Sequence, residues 1–327
     1  MERRRIGSLE ISSVALGCNN FGRRLDYLRT ASVVDAALDS GILLFDTADV
    51  YGGTQSEEFL GRALGARRAR VVVATKFGIP LNNSGRAIGK DDVRRALEDS
   101  LRRLRTDYID LYQLHRPLRH QPVVETLGVL DELVRAGKVR EIGCSFFSAA
   151  ELREAGRMAA AGARFVSVQN EYSLLHREPE EDVLPECGHA GLAFLAFSPL
   201  AGGLLTGKYR SGSAAPAGSR LAGDADGRFF NARNLALLEP LSAFASARGR
   251  TLLELAVSWL AGREHVASVI VGAMSAEQVR ANVAAAGWRL DPGDREGIDH
   301  VVPRRKLLFL RRAVRRAQAI LKRWSTS

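Results

Sequence analysis

Cysteine, aromatic side chains and long apolar runs are all scarce in this chain, and each scarcity excludes something. The three cysteines, Cys18, Cys144 and Cys187, are odd in number and form no CxxC pair. They exclude a disulfide framework and a thiolate zinc site, and read as thiols of a reducing compartment. The six histidines lack metal-ligand spacing, with Pro117 breaking any helix that would join His115 to His120. No metal is expected. No stretch approaches the roughly 18 uninterrupted apolar residues of a membrane span. The N-terminus, MERRRIGSLEISSVALG, turns polar too soon for a signal peptide, so a cytoplasmic protein is expected. GxGxxG is missing throughout, which excludes the Rossmann cradle for a dinucleotide pyrophosphate.

Acids are missing from one segment. Nine Lys/Arg and no Asp/Glu lie between Arg304 and Arg323, and they carry nine of the chain's ten net positive charges. The body is thus nearly neutral, and nucleic-acid binding is not expected. Leu307, Leu310, Val314, Ala317, Leu321 and Trp324 recur at steps of three and four, one face of a basic amphipathic C-terminal helix. That stripe suits docking on the body of the protein, self-association, an acidic partner, or contact of residues 304–324 with an anionic membrane surface. The domain reading is a barrel over 1–302 and a tail over 303–327.

What the chain has in plenty is alternation. Apolar runs near 13–17, 42–45, 71–75, 109–114, 140–144, 165–169, 192–197 and 266–271 predict eight strands. Amphipathic stretches near 30–40, 56–65, 91–104, 122–136, 148–160, 180–190, 232–262 (two helices) and 275–286 separate or follow them. Runs apolar enough to be buried on both faces, alternating with helices, predict an α/β fold of the (β/α)8 TIM-barrel type. Residues 4–12 predict an N-terminal β-hairpin plugging its bottom. Residues 201–231, rich in Gly, Ala and Ser, predict a long functional loop.

Four polar residues stand at the ends of three successive runs. Asp46 and Tyr51 follow LLF, Lys76 follows VVVAT, and His115 follows LYQL. On neighbouring parallel strands these side chains converge at the C-terminal rim, where barrel chemistry collects. Ionising a phenol at pH 7 costs about 4 kcal/mol, and an ammonium about 4 Å away offsets a similar amount at an effective dielectric near 20. Asp46 would keep Lys76 charged, Tyr51 would donate a proton to a carbonyl oxygen, and His115 would orient that carbonyl or join the relay. A small-molecule carbonyl substrate is expected.

The runs FDTADVYG, VVVATKFG, IDLYQLHRP and REIGCSFFS resemble those of the aldo/keto reductases, from about Ile11 to Asn282. The resemblance implies NAD(P)H-dependent carbonyl reduction on a (β/α)8 barrel, with Tyr51 as general acid supported by Asp46, Lys76 and His115. It implies further that Ser145 and Gln169 bond the nicotinamide carboxamide and that Phe197 stacks on the ring. Ser198, Leu200 and Gly202 would line the pyrophosphate path. Gly272, Ser275, Gln278 and Asn282 would meet the adenosine end at a helix N-terminus. Two positions depart from the family pattern. Phe146 replaces the usual asparagine after Ser145, and Met274 stands where an arginine commonly grips a 2′-phosphate. Lys208 and Arg280 are the substitutes for that grip, so the cofactor is NADP(H) or NAD(H).

Gly202 to Lys208 satisfies GxxxxGK, but Tyr209 stands where a P-loop needs Ser or Thr. A loop folding over the dinucleotide is the better reading. Phe21, Phe77, Phe147, Phe229, Phe230 and Trp288 are the expected walls of an apolar substrate pocket. Two rivals compete with the reductase. A hydrolase using Asp46 or Asp49 with Glu171 gives Lys76 and Tyr51 no shared task. A nicotinamide-nucleotide-sensing protein with little turnover, its basic tail recruiting a partner or membrane surface, would differ in turnover alone.

Overall fold

The computed structural model describes residues 1–79, 88–118, 122–159, 162–223 and 227–303. The basic segment 304–324 lies outside the described residues. An antiparallel hairpin, β1 (Arg3–Ile6) and β2 (Leu9–Ser12), precedes eight parallel strands. These are β3 (Val14–Gly17), β4 (Leu44–Asp46), β5 (Val72–Phe77), β6 (Ile109–Leu114), β7 (Val139–Ser145), β8 (Phe165–Glu171), β9 (Ala193–Phe197) and β10 (Val266–Gly272). They pair in sequence order, and β10 closes on β3 through Val269–Val14 to Gly272–Gly17. Each expected strand is present within a few residues of its expected bounds.

The surrounding helices are α1 (Tyr27–Asp39), α2 (Gln55–Leu64), α3 (Lys90–Leu104), α4 (Val123–Arg135), α5 (Ala149–Met158), α6 (Val183–Ala190), α7 (Ala232–Ser246), α8 (Leu252–Ala261) and α9 (Ala276–Ala284). A further helix, α10 (Pro292–Val301), was not expected, although its start is written in the sequence. Asp291 caps it, Pro292 opens it, and Asp294 completes a capping box. Elsewhere the same device starts α5 at Ser148 with Glu151 and α8 at Thr251 with Glu254.

Strand alternation divides the core in two. Ala15, Leu44, Val72, Ala74, Leu111, Leu195 and Ile270 pack together inside the barrel, with Ile6, Leu9 and Ile11 of the hairpin among them. The hairpin therefore stoppers one end of the barrel, as its sequence implied. Phe45, Val73, Phe77, Tyr112, Leu114 and Val168 face the other way, into the larger core under the helices. Among the described residues no helix is long and apolar enough to cross a membrane.

Candidate active site

The period of two that fills the barrel with apolar side chains also fills its upper mouth with polar ones. Leu44 leads to Asp46, Val72 and Ala74 to Lys76, and Leu111 to Gln113 and His115, each pair or trio on one face of its strand. Tyr51 enters from the short 3-10 turn Tyr51–Thr54 after β4. Gly52 makes that turn possible. It has φ +59°, and a Cβ there would lie 2.4 Å from the carbonyl oxygen of Phe21.

The four side chains meet. Lys76 Nζ, fully buried, donates to Asp46 Oδ1 at 2.7 Å, Asp46 Oδ2 at 2.8 Å and the Thr47 carbonyl at 2.9 Å. It lies 3.5 Å from the Tyr51 hydroxyl. Asp46 also accepts from Gln169 Nε2 at 2.7 Å and Gln113 Nε2 at 3.4 Å. The His115 ring packs edge-on to Tyr51 with centroids 5.8 Å apart.

Electrostatics assign the resting charges. Burial alone would push the Lys76 ammonium down, but Asp46 and Tyr51 outweigh it and hold it above its ordinary value. Burial pushes the Tyr51 phenol up, and the opposing pull of Lys76 only partly offsets this. The sequence-level expectation that the ammonium cancels the cost of ionisation is therefore corrected: desolvation wins, and Tyr51 keeps its proton at rest. Burial, then Lys76 and Arg116, push His115 down to about 3, so its imidazole is neutral.

Asp46, Tyr51 and His115 form part of the wall of a cleft of about 750 Å³, with Lys76 buried behind them. Ser145, Gln169, Phe197, Ser198, Leu200, Gly202, Lys208, Gly272, Gln278 and Asn282 all line it. Ser145 Oγ donates to the Gln169 carbonyl at 2.7 Å, while Gln169 spends its amide on Asp46, leaving its side-chain oxygen without a partner among the described residues. Ser275 does not line the cleft. Its side chain caps α9 by accepting from Gln278 N. Gln278 in turn accepts from Met274 N at 2.8 Å, and Asn282 donates to the Gly272 carbonyl at 3.3 Å. Arg280 is not part of the lining.

The loop after β9 carries strained backbone where it borders the cleft. Ser198 (φ +53°) and Ala201 (φ +47°) are left-handed without being glycine, and Gly202 and Gly203 follow at +70° and +101°. Gly202 is held against Leu221 and Phe229, and Arg228 reaches across to an ion pair with Glu171. Tyr209, where a P-loop needs a hydroxyl for magnesium, is buried, and the residues before it form a kinked 3-10 segment, Ala201–Thr206.

The expected aromatic walls are not there. Phe21, Phe77 and Phe147 are buried in the core beneath the helices, Phe229, Phe230 and Trp288 pack against it, and none lines the cleft. Among the described residues the lining is cationic instead: Arg24, Arg29, Arg116, Lys208, Arg220 and Arg228 against one carboxylate, that of Asp46. Sequence reasoning missed the five arginines. Only Arg116, beside His115 in LHRP, stood close enough to a recognised residue to be found. Among the described residues no three potential metal ligands cluster.

The aldo/keto reductase family model matches residues 13–303. The chain is 36% identical over 299 residues to an uncharacterized oxidoreductase of Bacillus subtilis, YrpG, covering 86% of this chain and 90% of the relative. It is 34% identical over 296 residues to a probable voltage-gated potassium channel subunit beta of Oryza sativa, covering 85% and 88%. The solved structure of a glycerol dehydrogenase from Gluconobacter oxydans superposes with a TM-score of 0.79 at 31% identity, covering 91% of this chain and 94% of that one. A shared fold and matches over most of the chain agree: this chain belongs to the aldo/keto reductase family and is an NAD(P)-dependent oxidoreductase.

Proposed function

We propose that the protein reduces aldehydes or ketones to alcohols, with Tyr51 as the proton donor. The observation that carries this reading is the buried Lys76, paired with Asp46 and 3.5 Å from the Tyr51 hydroxyl. Bound NAD(P)H supplies the hydride. As the carbonyl oxygen gains negative charge, Tyr51 passes its proton to that oxygen, and the phenolate left behind faces an ammonium already fixed in place. Asp46 holds Lys76 charged and aimed. Neutral His115 can donate one N–H to the same oxygen and so orient it.

The cleft suits a nicotinamide dinucleotide. Its volume falls in the range of cofactor sites, and Phe197 offers a ring beside Gln169 and Ser145. The left-handed residues from Ser198 to Gly203, with Lys208 and Arg220 in the same wall, suit a pyrophosphate. Met274 offers no charge for a 2′-phosphate, while Arg29 and Lys208 do, so NADP(H) is the proposed cofactor and NAD(H) the competitor to compare. The sensing alternative draws on the similarity to potassium channel β subunits. The complete set of Asp46, Tyr51, Lys76 and His115 favours turnover over sensing.

The test is Tyr51→Phe, assayed by nicotinamide absorbance against a panel of aldehydes and ketones. We expect kcat to fall by about 10³-fold or more, the scale of losing a general acid, with NADPH affinity kept. Turnover that survives in this variant rejects the proposed role.

A further inference from the structure

Phe146 occupies a place its side chain should avoid. Its backbone is left-handed, with φ +60°, in a chain where most such positions are glycine. Asparagine tolerates this conformation because its short polar side chain can bond locally, whereas a bulky aromatic does not. Its ring is also 40% exposed, so core packing does not account for it. What the ring touches is informative. Phe197 lies on one side with centroids 5.0 Å apart, and the Arg116 guanidinium sits 4.6 Å above the ring.

Arg116 follows His115 directly, and the His115 ring packs on Tyr51. Tyr51, His115, Arg116, Phe146 and Phe197 therefore border one mouth, and all five line the cleft. Arg116 is exposed and makes no hydrogen bond or ion pair with any described residue, and its guanidinium sits over the Phe146 ring. A guanidinium placed over a ring leaves its edge N–H groups free, and that edge matches a carboxylate with two parallel hydrogen bonds. Its position separates it from the nucleotide. The residues proposed to hold the dinucleotide lie on β7 to β10 and the segments after them, with Arg29 following β3, the strand beside β10, whereas Arg116 follows β6, on the side of the proton donor.

We propose that the preferred substrates are carbonyl compounds bearing a carboxylate, and that Arg116, propped on Phe146, binds that group. This deepens the reductase reading and rests on it. The rest of the rim adds to the attraction: the described residues of the lining include six Lys/Arg and one carboxylate, which is already paired with Lys76. Among the described residues, an anion entering the cleft meets a positive field and no unpaired carboxylate.

The test uses the full chain with NADPH and two aldehydes differing only in charge, 4-formylbenzoate and its methyl ester. We expect the wild-type protein to show a kcat/KM at least tenfold higher for the acid. In Arg116→Gln that ratio should fall about tenfold or more, chiefly through KM of the acid. NADPH affinity, measured by fluorescence titration, should change less than twofold. Phe146→Asn should lower the ratio about threefold, because the guanidinium loses its support. Equal kcat/KM for acid and ester in the wild type overturns the proposal, as does a preference that survives Arg116→Gln. A loss of NADPH affinity in that variant with the ratio unchanged also overturns it and moves Arg116 to the nucleotide. If the ester is reduced and the acid is not preferred, this inference alone fails; if neither aldehyde is reduced, the reductase reading fails with it.

Discussion

The floor of the cleft and its rim handle charge in opposite ways. On the floor, Lys76 and Asp46 are buried and joined by two hydrogen bonds, and Gln169, Gln113 and the Thr47 carbonyl take up their remaining bonding capacity. On the rim, Arg116 and Arg220 are exposed and form no ion pair with any described residue, and Arg228 alone of the arginines there is matched, by Glu171. Although Arg220 reaches solvent, the protein packed around it partly desolvates its guanidinium and pushes it below its ordinary value, and Arg23, Arg24 and Arg228 add to the effect. The floor is organised before anything arrives, which suits it to chemistry; the rim is incomplete until an anion arrives, which suits it to recognition.

The strongest way to break this contrast is to remove the cation of the floor. Lys76→Met leaves Asp46 buried and uncompensated, and we expect a stability loss of about 3–5 kcal/mol. Reduction should fall by at least about 10²-fold as the developing phenolate loses its partner. Chemical denaturation and steady-state assay of the purified variant read both effects. Unchanged stability would show that the pair is not the anchor of the floor.

A carboxyl just outside the floor sharpens the contrast. Asp49, three residues after Asp46, is also buried, but Oδ1 finds no partner among the described residues. Burial, then neighbouring Glu57, push it up from 3.8 to about 7. Glu57 itself is bonded by Thr75 at 2.6 Å and Arg103 at 2.7 Å, so it offers Asp49 no relief. The sign follows from linkage. Below about pH 4 the carboxyl is protonated both folded and unfolded, and its charge costs nothing. Between that pH and about 7 the unfolded chain ionises first, so this site lowers stability as pH rises. Above 7 the full cost remains. Asp49→Asn should therefore gain on the wild type by an amount that grows from pH 4 to pH 8, on the order of 2–4 kcal/mol at the upper end. Melting curves at several pH values check it, and a gain independent of pH would refute the assignment.

The smallest expected effect lies on the rim. Lys208→Ala should weaken NADPH binding by about tenfold, or ~1.4 kcal/mol, and flatten the dependence of affinity on salt. Titrations at low and high ionic strength measure this directly. An unchanged affinity would remove Lys208 from the nucleotide path.

How much of this was legible beforehand follows the same division. The floor could be read because alternation in short apolar strands dictates it: once Leu44, Val72 and Leu111 face inward, Asp46, Lys76 and His115 follow on the same faces. The same rule, applied with more care, excludes Phe77 as a pocket wall. It is one residue from Lys76 and so points to the helices, where it stacks on Tyr112 at 4.5 Å. The direction of the Tyr51 shift was missed because a sequence shows which charge is near but not how much water is lost. The rim could not be read. Arg24, Arg220 and Arg228 arrive on loops, whose course no periodicity encodes, and the GlyAlaSer-rich composition of 201–231 gave no sign that its arginines reach the cleft. Phe146 was noticed only as the loss of an asparagine; its left-handed backbone and its place under Arg116 required coordinates.

The plug formed by Ile6, Leu9 and Ile11 completes the apolar filling of the barrel interior at its base. With that base sealed, reagents and products of the proposed reaction would pass one another at the mouth of the cleft. The arginines around that threshold stand guard over every arrival and departure.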